Sequence, residues 1–71
     1  MKAELKKEEF LITVCNEIYD GDIKSKTRGE LDTHITEQYE TYVANGAEPE
    51  AALQEAIRQM GDPASIGKEI N

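Results

Sequence analysis

His34 is the only histidine in this 71-residue chain, and carboxylates stand close to it in sequence. Glu30 lies four residues before it and Glu37 three after, so on a helix all three share one surface. An imidazole with two carboxylates is a donor set that can hold a divalent metal. Such a site needs three or four converging ligands, and no second histidine or cysteine stands at ligand spacing. The sequence therefore places His34 at the edge of an apolar stripe, donating to a neighbouring backbone group or carboxylate. No metal and no other cofactor is expected. Cys15 is the only cysteine. A nucleophilic thiol needs a base beside it and an exposed, electropositive setting. Cys15 lies instead between Val14 and Ile18 on an apolar face, which predicts a buried core thiol. No Ser–His–acid arrangement is available: His34 sits beside threonines, and Ser25 and Ser65 read as cap or first-turn residues. Asp20 and Asp22 around Gly21 are too few for a calcium loop and lack its closing glutamate. The chain is not expected to be an enzyme.

Its aromatic residues suggest a different kind of chemistry. Phe10, Tyr19, Tyr39 and Tyr42 are a large share of the apolar area in so small a protein, and exposed aromatics supply binding energy. Tyr39 and Tyr42 are predicted to close the edges of the core with their hydroxyls in water. Tyr19 is open to either role.

The elements that position these residues follow from periodicity and punctuation. Between Glu30 and Gly46, Leu31, Ile35, Tyr39, Tyr42 and Val43 line one face of a helix. Gly46 closes it, because glycine enters the left-handed conformation at little steric cost. Ahead of it, FLITVCNEIY puts Leu11, Val14, Cys15 and Ile18 on one face, and Phe10, Ile12 and Tyr19 widen that stripe until little polar surface remains. A helix this apolar is either the central core element or partly covered by a second molecule. Phe10, Ile12 and Tyr19 are therefore the candidate interaction surface. Asp20-Gly21-Asp22 is predicted to stop this first helix, combining a glycine C-cap with an aspartate N-cap for the next. The second helix is then expected to start between Asp22 and Ser25, with Ile23 and Thr27 extending the Leu31–Ile35 stripe backwards. Two roles are open to Gly29: permitting a close approach of the first helix, or simply being tolerated at about 1 kcal/mol.

After Gly46, Pro49 suits a first helical turn, and Glu48 and Glu50 suit the positive end of the helix dipole. Ala52, Leu53, Ala56, Ile57 and Met60 form the inward stripe, and Gly61 terminates it. Asp62 and Pro63 open another helix as N-cap and N1, with Ile66 and Ile70 inward. That stripe is still running at Asn71, as a segment leading on to a linker would. Residues 1–8 are mostly charged and expected to be frayed. The fold class is all-α, a single domain over 1–71: a small bundle of three helices and a short fourth. Its predicted core joins Leu11, Val14, Cys15 and Ile18 with Leu31, Ile35, Ala56, Ile57, Met60 and Ile66.

A chain of this length buries only about 60% of its unfolded surface, so its stability should be modest. Fifteen acidic against eight basic residues give a formal charge of −7. That charge repels nucleic-acid phosphates and anionic lipid, and nucleic acid is not an expected partner. No apolar run approaches the ~20 residues that span a bilayer, and MKAELKKEEF lacks the apolar centre of a secretion signal.

The segments ELDTHI and YVANGAEPEAALQEAIRQMGDPASIGKEIN resemble the HAAS-type helical domain, also called the permease prefix domain. That family reads E-L-x-x-H-I, a glycine ending the helix, an acidic run with A-x-x-x-A, and G-D-P before a final short helix. Glu30, Leu31, His34, Ile35, Gly46, Ala52, Ala56, Met60, Gly61, Asp62, Pro63 and Ile66 stand at the matching positions, and the resemblance spans nearly everything from Phe10 onward. FLITVCNEI and MGDPASIGKEIN are similar to the cytoplasmic N-terminal domain on some FtsW/RodA/SpoVE-type proteins of cell division and cell shape. The chain departs from the family at Asp20-Gly21-Asp22 and at Gly29. The resemblance implies a non-catalytic, protein-binding or regulatory module on the cytoplasmic face of a bacterial plasma membrane. A membrane region would follow Asn71, with peptidoglycan glycosyl transfer performed there. The expected partner is protein, either a second copy or a cytosolic partner. Two alternatives remain: a HAAS-type signalling module of a permease-like protein linked to a PadR-type regulator, and a free-standing acidic adaptor.

Overall fold

The computed structural model describes residues 2–70, and among them it contains four helices and no strand: α1 (Lys2–Asn16), α2 (Gly21–Ala44), α3 (Pro49–Gln59) and α4 (Pro63–Ile70). The chain folds as the all-α bundle its periodicity predicts. At 1.5 Å per residue, α2 is roughly 36 Å long, and it accounts for the long axis of a molecule measuring 39 × 17 × 17 Å.

The breaks between helices have three different causes. Gly46 and Gly61 adopt φ of 98° and 95°, the left-handed conformation that ends α2 and α3. Asp62 opens α4, its Oδ2 accepting from the Ser65 amide at 3.0 Å and from the Ser65 hydroxyl at 2.8 Å. The first break differs from its expected form. The α1 helix stops at Asn16, not at Gly21, and closes through amides of Glu17 and Ile18 donating to the carbonyls three residues back. Gly21 is the first residue of α2, and Asp20 is its N-cap, Oδ1 accepting from Asp22 N at 2.9 Å and Ile23 N at 3.0 Å. The helix thus starts before the predicted Asp22–Ser25 window, because one carboxylate already satisfies two of its orphan donors.

The core is built on α1, which packs against each of the other three helices. Leu11, Val14, Ile18 and Ile35 are its largest fully buried side chains. Ala3, Phe10, Leu53 and Ala56 join them, and Leu31, Tyr39, Tyr42, Ile57, Met60, Ile66 and Ile70 pack around the cluster half-buried. Three expectations are corrected here. Phe10 is not an interaction residue: it is only 6% exposed, because a helix with three neighbours needs apolar surface around much of its circumference. Cys15 is not a core thiol but half-buried at the rim, its Sγ 4.0 Å from the Lys24 carbonyl at the start of α2. Nor are residues 2–8 frayed, since they lie in α1. Ala3 is wholly buried, and its amide donates to Glu50 Oε1 at 2.9 Å, so a carboxylate in the first turn of α3 serves an orphan donor of α1. Met1 and Asn71, and the expected continuation beyond Asn71, lie outside the described residues.

Two ion pairs link the antiparallel α1 and α2. Lys7 Nζ meets Asp32 Oδ1 at 3.1 Å, and Arg28 grips both carboxylate oxygens of Glu8, at 3.0 and 2.7 Å. Against α4 the approach is much closer. A Cβ on the buried Gly67 would lie 2.5 Å from the Val14 carbonyl oxygen and 2.6 Å from Glu17 Cβ. Gly29, by contrast, is exposed, and a Cβ there would meet nothing within 4 Å. It is the tolerated glycine, and Gly67 is the one that permits a close crossing.

Two predictions follow from this difference and from the α4 cap. Gly29→Ala should stabilise the domain by about 0.4–1 kcal/mol. Gly67→Ala, despite the same gain in helix propensity, should destabilise it by about 1–3 kcal/mol, since the obstructing atoms are backbone and Cβ. Urea titrations of the two variants check both signs. At Asp62, hydrogen bonds from the Ser65 hydroxyl and amide hold the carboxylate below its ordinary 3.8. A depressed carboxylate contributes stability above its unfolded pKa and loses it as pH falls through the folded value. The Ser65 amide resonance should therefore shift as pH falls below about 3.8, and stay in place in Asp62→Asn, which keeps an accepting oxygen without titrating in that range.

Candidate functional site

The residues that could carry chemistry lie on the outer face of α2. Glu30, His34 and Glu37 are all exposed. With Ser25, Lys26, Gly29 and Thr33 they line a shallow depression, and Gly29, Thr33 and Glu37 also border a second one reaching Lys7, Asp32, Thr36 and Glu40. Gly29 contributes to both because its missing side chain leaves a gap on the helix surface. Among the described residues no group of three or more His, Cys, Asp or Glu side chains is placed to hold a metal ion. Shared helical surface is not convergence. A face of exposed side chains on one helix diverges into solvent unless a second element folds over it.

The shifted ionisable groups also lie apart from any cleft. Glu55 is held down at about 2, by hydrogen bonds first from Arg58 and then from Gln59, one turn further along α3. Arg58 is raised by the same partner. Arg28 is raised by its hydrogen bonds and charge interaction with Glu8, and Asp62 is lowered by the cap. Shifted pKa values cluster at functional sites when a pocket causes them. Here each one is explained by a surface ion pair or a helix cap.

The positions that resemble the HAAS pattern have structural work in this fold. Ile35 is fully buried and Leu31 packs against the core, while Glu30 and His34 are exposed beside that stripe. Gly46 and Gly61 take positive φ, Asp62 is the α4 cap, and Pro63 begins α4.

Exposed apolar side chains form the other candidate. Ile12 is 50% and Tyr19 87% exposed, and Leu5 at 68% and Ile23 at 45% join them. Two of the three residues expected at the surface are there, and Phe10 is not. At 100° per residue, Leu5 and Ile12 lie within about 20° of each other on α1, and each lies about 180° from a buried residue nine positions away, Val14 and Ala3 respectively. They therefore stand directly opposite the buried face. Leu5 was concealed in the sequence by its charged neighbours, though its seven-residue spacing from Ile12 is the signal that finds it. By its spacing Ile23 extends the α2 stripe. It is exposed because α1 ends at Asn16, with Cys15 already opposite Lys24, so the first turn of α2 runs past the end of its neighbour.

The chain matches no family model, no curated protein and no solved structure.

Proposed function

We propose that this domain is a non-catalytic protein-interaction and regulatory module of HAAS type. On this reading it sits on the cytoplasmic face of a bacterial membrane, next to the membrane region of an FtsW/RodA/SpoVE-type division or shape protein. The observation that carries the interaction reading is the exposed pair Leu5 and Ile12 on the side of α1 opposite its buried face, with Tyr19 beyond the helix end. Apolar residues so placed add nothing to the core and are available to a partner. The net charge of −7 favours protein over the anionic inner leaflet as that partner. Among the described residues no helix is long and apolar enough to cross a membrane; the resemblance alone implies a membrane region after Asn71. The parent assignment rests on the resemblance of FLITVCNEI and MGDPASIGKEIN. Sequence following Asn71 separates a division protein, a permease-like protein and a free-standing adaptor.

Ile12→Glu and Tyr19→Glu test the interaction surface. Both side chains are exposed, so melting temperatures should stay within a few degrees of the parent, whereas Phe10→Glu would place a charge in the core and unfold the domain. Sedimentation of the domain, together with its capture of a cytosolic protein, should show association that either substitution weakens at least about tenfold, the effect of losing one buried apolar anchor. A monomer at high concentration removes self-association, and capture unchanged in both variants overturns the surface.

A further inference from the structure

The four helices are not equally tied into the fold. Among the described residues α1, α2 and α3 each pack against the other two, forming a closed triangle, whereas the α4 backbone approaches α1 alone. Ala3, Phe10, Leu11, Ile35, Leu53 and Ala56, all on the three triangle helices, are buried there. The α4 helix docks through Ile66 and Ile70, with Gly67 pressed against the Val14 carbonyl and Glu17. It hangs on a short connection in which Gly61 already holds a φ of 95°. Its N-cap is internal, since Asp62 serves Ser65, and leaving α1 therefore costs it no capping bond.

We propose that α4 is an exchangeable latch: it detaches from α1 while α1–α3 stay folded, and the groove it leaves along Val14 and Glu17 accepts the α4 of a second copy. The second copy is the occupant because the groove is shaped for one helix surface, with glycine at the crossing and isoleucines on either side. Any side chain at the Gly67 position would meet the Val14 carbonyl. A free eight-residue helix is marginal in water, so α4 unravels on release and refolds on docking. A short hinge joined to a small terminal element is the arrangement from which reciprocal exchange between copies arises at low cost.

Native-state hydrogen exchange on the full chain tests the opening. The amides of Ile66–Ile70 should be protected at least about tenfold less than those around Ile35 and Leu53, with a weaker denaturant dependence, as expected of a local opening. Exchange of these amides together with the core would overturn the latch. The groove is tested with a synthetic peptide of residues 60–71 added to the 71-residue Gly67→Ala chain, whose own α4 should dock more weakly. The Val14 and Glu17 amide resonances should move on addition of the peptide, and should not move when the peptide itself carries Gly67→Ala. Resonances that do not respond to either peptide, or that respond equally to both, would overturn the exchange.

Discussion

The whole fold depends on α1 being apolar on enough of its surface to serve three neighbours at once. The α3 and α4 helices have 11 and 8 residues, lengths at which an isolated helix is marginal. They persist because Leu11, Val14 and Phe10 give them something to cover. The α2 helix is long enough to be more self-sufficient, yet only one of its residues, Ile35, is fully buried. It is anchored at mid-length, and its first turns run past the end of α1. A core this small has little redundancy: loss of one large side chain from α1 would remove cover from more than one helix interface.

Acidity is tolerated because of where the charges lie. Glu4, Asp22 and Glu50 occupy first turns, where the helix dipole favours them, and Asp20 and Asp62 serve amides directly. Glu50 reaches across to the Ala3 amide and so joins the starts of two helices. Two of the eight basic residues pair between helices, in Lys7–Asp32 and Arg28–Glu8, where they link α1 to α2. A net charge of −7 thus coexists with a folded domain because part of it substitutes for backbone partners.

Some of this was legible in the sequence, and particular residues show where legibility ends. Gly46, Gly61 and Asp62 were readable because each stands at a point where one apolar stripe stops and another begins, and only a few backbone solutions fit there. Gly29 and Gly67 were not, because a helical glycine looks the same in sequence whether it faces solvent or another backbone. The difference is set by tertiary approach. Glu30, His34 and Glu37 show the same limit in the candidate site, since spacing fixes which face they share but not whether anything closes over it. Asp20-Gly21-Asp22 shows that an aspartate caps the helix there but not which one, because two carboxylates flank the same glycine.

The breadth of the α1 stripe is the instructive case, because one sequence feature had two causes. Phe10 and Ile12 both widen it, and from sequence both could have answered either to extra neighbours or to a partner. The number of helices packed on α1 accounts for Phe10 completely. It does not account for Ile12, which with Leu5 lies about half a turn away from the buried face. No modest repacking could bring these two under α3 or α4, since rotating α1 to bury them would expose Leu11 and Val14. Core demand and surface function are thus separable on a single helix. What is left after the core has taken Phe10 is a narrower surface, centred on Leu5 and Ile12, than the stripe first suggested.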